Sequence, residues 1–230
     1  MKLLVLDTAT EACSVALNID GDVLEHYDVI PRRHSRELLP MIEKLLNDAG
    51  FTLRQMDALA FGRGPGAFTG LRVATAMVQG LAFAVDCPVI PISTLAALAQ
   101  QGYRRYQAQS VLSVIDARMD EVYWGAFIEH QGVMTSVCDE QVTKAERLDL
   151  PPAFQSETAF GMGTGWGFHD RLPVTVRQYD NKALPHAADM AVIAAQDFKR
   201  GKVLPAEAAM PVYLRDKVAL KKDERQALLE

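Results

Sequence analysis

AFGRGPG at residues 60–66 returns as AFGMGTG at residues 159–165, and the shared string A-F-G-x-G-x-G decides how the chain folds. The first copy is not a Walker A loop, because no glycine pair has the four-residue gap followed by Lys and Ser or Thr that such a loop needs. Gly62, Gly64 and Ala67 do match a loose G-x-G-x-x-A. The next extended run, 88–92, ends without the carboxylate that would hold a ribose, so a dinucleotide fold is not expected. What remains is a corner whose glycines permit positive φ and close approach, aimed at a helix N-terminus.

Working outward, each copy sits in the same place within a larger pattern. Apolar residues 3–6 end at Asp7, and two further runs, 13–18 and 23–29, flank Asp20-Gly21, a strong hairpin signal. Leu38, Met41, Ile42, Leu45, Leu46 and Ala49 then recur at helical spacing, with Gly50 as the stop. In the second half, residues 111–115 end at Asp116, run 122–128 follows, and Gln131-Gly132 precedes run 133–137. Two halves, each strand, strand, strand, helix, strand, glycine corner and helix, predict a duplicated α/β fold around a cleft. That order resembles the actin-like ATPase and sugar-kinase (ASKHA, ribonuclease H-like) superfamily. The expected division is 1–104 for the first half, 105–206 for a smaller second half, and 207–230 for a segment returning to the first.

The 230 residues are 49% hydrophobic and 23% charged, ordinary for a globular chain. A net charge of −5 gives no footprint for gripping nucleic acid unaided, so contact with nucleic acid is expected only through a partner. Cys13, Cys87 and Cys138 are widely spaced and odd in number, as expected of reduced thiols in a cytoplasmic protein. No secretory h-region precedes Asp7, and the nearly uncharged stretch 73–85 is shorter than a bilayer span, so no membrane partner is expected. His26, His34, His130, His169 and His186 are scattered, without H-E-x-x-H or an i, i+4 pair, and no serine lies in G-x-S-x-G. Neither a metal nor a catalytic group is expected.

LRVATAMVQGLAFAVD, 71–86, has few polar positions, and a helix apolar nearly all round must be covered on both sides. Either a neighbouring helix covers its second side, or its small residues Ala74, Ala76, Gly80, Ala82 and Ala84 admit another subunit. Beside the apolar arc of 36–49 it reads as an interface.

In an active ATPase of this superfamily Asp7 and Asp116 would stand near magnesium and phosphate. Asp7 fits that role, with the Thr8 and Thr10 hydroxyls beside it. Asp116 does not, because Ala117-Arg118 follows where glycine is usual. Arg118 either pairs with Asp116, Asp120 or Glu121, or reads a carboxylate or phosphate on a partner. The nucleotide cleft therefore reads as incomplete, and an ATP-dependent phosphotransferase is the alternative to a binding subunit.

LDTATEACSVAL (6–17), FGRGPGAFTGLR (61–72), VIDARMDEVYWG (114–125), GTGW (163–166) and PVYLR (211–215) together resemble the TsaB (YeaZ) family along nearly the whole chain. The resemblance implies a non-catalytic bacterial protein for making threonylcarbamoyladenosine beside the anticodon of tRNAs reading codons that begin with adenosine. It also implies a catalytic partner, TsaD (YgjD), the ATPase TsaE (YjeE), and a homodimer when alone. Where TsaD has H-x-x-x-H, this chain aligns TLAAL at 94–98. By resemblance the partner contact comprises Leu38, Met41, Ile42, Leu45, Leu71, Arg72, Ala74, Thr75, Met77, Val78, Leu81 and Arg118, with Thr69 capping the second helix. Asp7, Thr8, Thr10, Gly62, Gly64, Gly66, Gly163 and Gly165 are the vestigial or shared nucleotide site; no cofactor is its own, and ATP or ADP belongs at the interface of the complex. Arg215, Lys217, Lys221, Lys222 and Arg225 form a basic tail that reads as solvated.

Overall fold

Alternation in the first thirty residues builds an antiparallel meander of β1 (Lys2–Asp7), β2 (Ala12–Ile19) and β3 (Asp22–Val29). Its second turn is Asp20-Gly21, both left-handed at φ +54° and +109°. The computed structural model describes residues 1–152 and 154–215; Lys217, Lys221, Lys222 and Arg225 lie outside them. β4 (Ala58–Gly64) and β5 (Val89–Ser93) extend the sheet in parallel, giving the order β3-β2-β1-β4-β5. Val89 and Leu204 exchange backbone hydrogen bonds of 2.8 and 2.9 Å and so cover the β5 edge.

The second sheet repeats this plan. β6 (Ser110–Arg118), β7 (Glu121–His130) and β8 (Val133–Ser136) form the meander, and β10 (Phe160–Met162) and β11 (Gln178–Asp180) add in parallel, in the order β11-β10-β6-β7-β8. β9 (Gln141–Lys144) pairs with β7 beyond β8. The fold is the duplicated actin-like ATPase type.

The helices depart from the expected symmetry. In the first half α1 (His34–Ala49) and α2 (Phe68–Val85) cover one face of the sheet. In the second half the two expected helices are absent among the described residues: β9 and short 3-10 turns occupy 141–158, and only the 3-10 segment Thr164–Phe168 follows the glycine corner. The physical reason is local: Pro151-Pro152 cannot continue a helix, and Gly165 and Gly167 follow the corner where α2 has an apolar repeat. Trp124 and Trp166 fill the volume instead, beneath Leu148, Phe154 and Leu172.

The remaining helices cross over. α3 (Thr94–Tyr106) follows β5 in the first half, yet Leu95, Leu98 and Ala99 pack beneath Val111, Ile115 and Phe127 of the second sheet. α4 (Ala187–Lys199) follows β11, yet Ala187, Met190, Ala191 and Ala194 pack on Leu3, Val5, Ala58 and Ile90 of the first. Each half thus supplies the helix that covers the other's inner face.

Candidate interface and cleft

The two glycine corners agree at their middle glycine: Gly64 and Gly163 stand at φ +106° and +107°, a conformation that a residue with Cβ rarely adopts. At the first glycine of each string a side chain fills the space a Cβ would take. A Cβ on Gly62 would lie 1.8 Å from Asp7 Oδ1, and one on Gly161 would lie 2.4 Å from the Trp166 ring.

Between the corners lies a cleft of about 810 Å³. Its first-half wall is Ala9, Thr10, Glu11 and the start of α2 with Phe68 and Leu71; its second-half wall is Ile115, Asp116, Arg118, Tyr123 and Thr164. Val212, Tyr213, Leu214 and Arg215 form a third wall that no residue periodicity announces. This strap is fixed along α2 and the end of β4, where Gln79 Nε2 donates to Ala209 O (2.8 Å), Val212 N donates to Arg63 O (2.8 Å) and Arg72 Nε donates to the Tyr213 hydroxyl (3.2 Å). It reaches the second half, where Arg215 donates to Ala117 O (3.0 Å) and pairs with the Glu121 carboxylate.

Of the residues read as a nucleotide site, Thr10 and Gly66 line this cleft and Asp7 does not. Strand alternation turns Asp7 to the same face as Leu3 and Val5, toward α4, with Met190 beside it. There it is fully buried, its Oδ1 lacks a hydrogen-bond partner, and burial raises its pKa to about 7. The Thr8 hydroxyl donates to Gly70 O (2.7 Å) instead of facing a ligand. Gly163 and Gly165 admit the Val114 backbone of β6. Asp116 does face the cleft, its Oδ1 accepting from the Arg118 N–H (2.8 Å). Arg118 itself is 77% exposed, with its guanidinium 3.6 Å from Asp116 and 3.8 Å from Glu11.

The turn carrying Arg118 is strained. Arg118, Met119 and Asp120 are all left-handed, at φ +64°, +57° and +59°. Such a residue costs roughly 1–2 kcal/mol relative to glycine. Arg171 steadies the turn, donating to Asp120 (2.8 Å) and Glu146 (2.6 Å).

A polar latch joins the halves behind the cleft. Glu25 on β3 accepts from the Ser14 hydroxyl (2.7 Å) and the Ala188 N–H (3.0 Å), and His186 Nδ1 lies 2.9 Å from its other oxygen. Ser14 Oγ accepts from Ala187 N–H, so groups of the first half cap the N-terminus of α4. Burial would raise the Glu25 carboxyl, but its donors together outweigh that and hold it below its ordinary value. Ser14 is bonded to a carboxylate and not to an imidazole base, which is not the order of a hydrolytic triad.

The residues read as partner contacts divide by burial. Leu38, Ile42, Leu45, Leu71, Ala74, Thr75 and Val78 are buried within this single chain, Leu71 against the cleft, and none stands on its outer surface. The broad apolar arc of α1 is consumed by the sheet. Met41, Met77 and Leu81 are half-buried, and Arg72 is exposed. The accessible stripe of α2 is Thr69, Arg72, Ala76, Gly80, Phe83 and Ala84, with Phe83 82% exposed and open space beside Gly80. Phe83 was readable, one turn beyond Ala76 and Gly80. Thr69 does not cap α2: the N-cap is Ala67, and no side chain accepts there. By length and composition α2 could cross a membrane, since its 18 residues exceed the uncharged stretch; here it is the crossover between β4 and β5, packed on their sheet.

Among the described residues no group of three or more His, Cys, Asp or Glu side chains is placed to hold a metal ion. Thr94 and Leu98, aligned with the histidine pair, are buried on α3.

A family model described as TsaD, tRNA N6-adenosine threonylcarbamoyltransferase, matches residues 28–222. The tRNA threonylcarbamoyladenosine biosynthesis protein TsaB of Escherichia coli is 42% identical over 226 residues, 96% of this chain and 98% of that one. The chain belongs to the TsaB family. TsaB of Haemophilus influenzae is 40% identical, covering 96% of this chain and 97% of its own. The solved structure of YeaZ from Pseudomonas aeruginosa is 51% identical, with a TM-score of 0.90 over 93% of this chain and 99% of that one. A second structure from that organism, with the same figures, is described as similar to peptidase YEAZ. As a TsaB-family member the chain takes part in tRNA threonylcarbamoyladenosine biosynthesis.

Proposed function

We propose that this chain is a non-catalytic subunit that binds and activates a TsaD-type catalytic subunit, with a TsaE-type ATPase, for threonylcarbamoylation of the adenosine beside the anticodon. The observation that carries the reading is the outer stripe of α2. Ala76, Gly80 and Ala84 let another helix approach closely, and Phe83, exposed at 82%, is an anchor of the kind that dominates interfaces. The same stripe joins two copies when the chain is alone. Cytoplasmic tRNA is reached through the complex. ATP or ADP sits between subunits and not on Asp7, whose carboxyl lies outside the cleft lining.

The test is to mix the purified chain with the TsaD-type subunit and measure mass and tRNA modification. Phe83→Glu and Ala76→Glu are expected to abolish the complex while leaving the fold intact by circular dichroism. Normal complex formation by both variants overturns the reading. An ATP-dependent phosphotransferase would instead show magnesium-dependent turnover by the isolated chain.

A further inference from the structure

The two sheets end differently at matching edges. In the first sheet β5 closes the order and is covered by the backbone bonds between Val89 and Leu204. Its counterpart β11 closes the second sheet, and among the described residues no strand or bridge lies beyond it. An open edge is ordinarily blunted by charge or bulges. Here flat rings stand beside the charges. The Tyr179 ring lies 5.5 Å from that of Trp166 at 13°, and 5.2 Å from that of His169 at 30°. Trp166 is 1% exposed, Tyr179 40% and the His169 side chain 44%, so stacked rings lead from the core to the surface.

The charges around these rings are uneven. Arg177, Gln178, Asn181 and Lys182 are all exposed beside Tyr179. The nearby carboxylates are already engaged. Asp180 accepts from Arg105 (3.2 Å), the Tyr106 hydroxyl (2.9 Å) and the Lys182 N–H (3.0 Å), and Asp170 lies 3.0 Å from His169 Nε2. Arg177 and Lys182 have no ion-pair partner among the described residues, in a chain whose net charge is −5. Exposed rings beside unpaired cations suit single-stranded nucleic acid, because every base has a face to stack and every phosphate a charge to meet. The family's place in tRNA modification favours RNA over a protein as the occupant.

We propose that the β11 edge holds an unpaired stretch of the tRNA, with a base stacked on the Tyr179 and His169 rings and phosphates against Arg177 and Lys182. Two cations are too few to hold RNA alone, so the contact acts inside the complex. It therefore rests on the subunit reading above.

The experiment uses the full chain reconstituted with the TsaD-type subunit, and an unmodified transcript of a tRNA that reads codons beginning with adenosine. Filter binding across a salt series gives the affinity, and the mass and Tm of each complex are recorded without RNA. Tyr179→Leu keeps an apolar cover on Trp166 and removes the ring; it is expected to weaken tRNA binding about fivefold or more, while Tyr179→Phe binds as the parent does. Should Tyr179→Leu lower the Tm, His169→Ala reads the same stack from its exposed end. Arg177→Gln with Lys182→Gln is expected to flatten the slope of log affinity against log salt by about 1.4, roughly 0.7 per phosphate. Parental affinity in both ring variants, or a parental slope in the double variant, overturns the proposal. Loss of the RNA-free complex in these variants also overturns it, since the edge would then be a protein contact. Phe83→Glu tests the docking reading separately: an intact complex there removes that reading and leaves the tRNA arms measurable.

Discussion

Arg104 and Asp189 form a two-point ion pair between α3 and α4, with Nε to Oδ1 at 2.7 Å and Nη2 to Oδ2 at 2.9 Å. Asp189 is fully buried, and burial outweighs the guanidinium enough to hold its carboxyl above the ordinary range. Arg104→Ala would strand that carboxylate, which costs about 2–4 kcal/mol after allowing for the half-exposed arginine. Urea unfolding should show this loss, and Arg104→Ala with Asp189→Ala should recover part of it.

Asp7 predicts a pH dependence of definite sign. Its carboxyl ionises near 3.8 in the unfolded chain and near 7 in the fold, so the folded state holds the proton more tightly. Stability is highest below about pH 4 as far as this group is concerned, falls between pH 4 and 7, and is lowest above. Three pK units bound the effect at about 4 kcal/mol. Asp7→Asn should therefore exceed the parent in Tm at pH 8, and the gap should close toward pH 4. A gap independent of pH would show that Asp7 does not titrate as described.

The contact between Gly62 and Asp7 predicts a rescue. Gly62→Ala puts a methyl 1.8 Å from Asp7 Oδ1, overpacking that costs roughly 1–3 kcal/mol. With Asp7→Ala in the same chain the oxygen is gone, and the second substitution should restore much of the stability lost to the first. Additive losses in thermal melts would place the collision elsewhere.

Core and surface on the paired helices should separate cleanly. Leu38→Ala and Ile42→Ala remove side chains at 0% and 2% exposure and should each cost about 2–5 kcal/mol. Phe83→Ala, at 82% exposure, should change stability by less than about 0.5 kcal/mol while weakening partner capture. Parallel chemical melts and co-purification assays read both quantities.

Duplication was legible because glycine is irreplaceable where Gly64 and Gly163 turn left-handed, so the repeat survives in letters. The helices of the first half were legible from their period. Their sorting into core and contact was not, since periodicity marks an apolar face without naming what covers it. Leu38 and Phe83 are both apolar and differ only in what lies opposite. The direction of Asp7 could have been read, because residues 3, 5 and 7 of a strand share one face. A segment from 207 returning to the first half was expected, but its bond to the second half could not be read, because Arg215 meets Ala117 across nearly half the chain and no local pattern records so distant a bond.

The exchange of α3 and α4 makes the halves mutually dependent for their interiors. Cut between α3 and β6, the first sheet would show Leu3, Val5, Ala58 and Ile90 to water, and the second would show Val111, Ile115 and Phe127. Neither piece is a folding unit, so the molecule should unfold in a single cooperative step, and a chain broken at its midpoint should regain structure only when both fragments are present together.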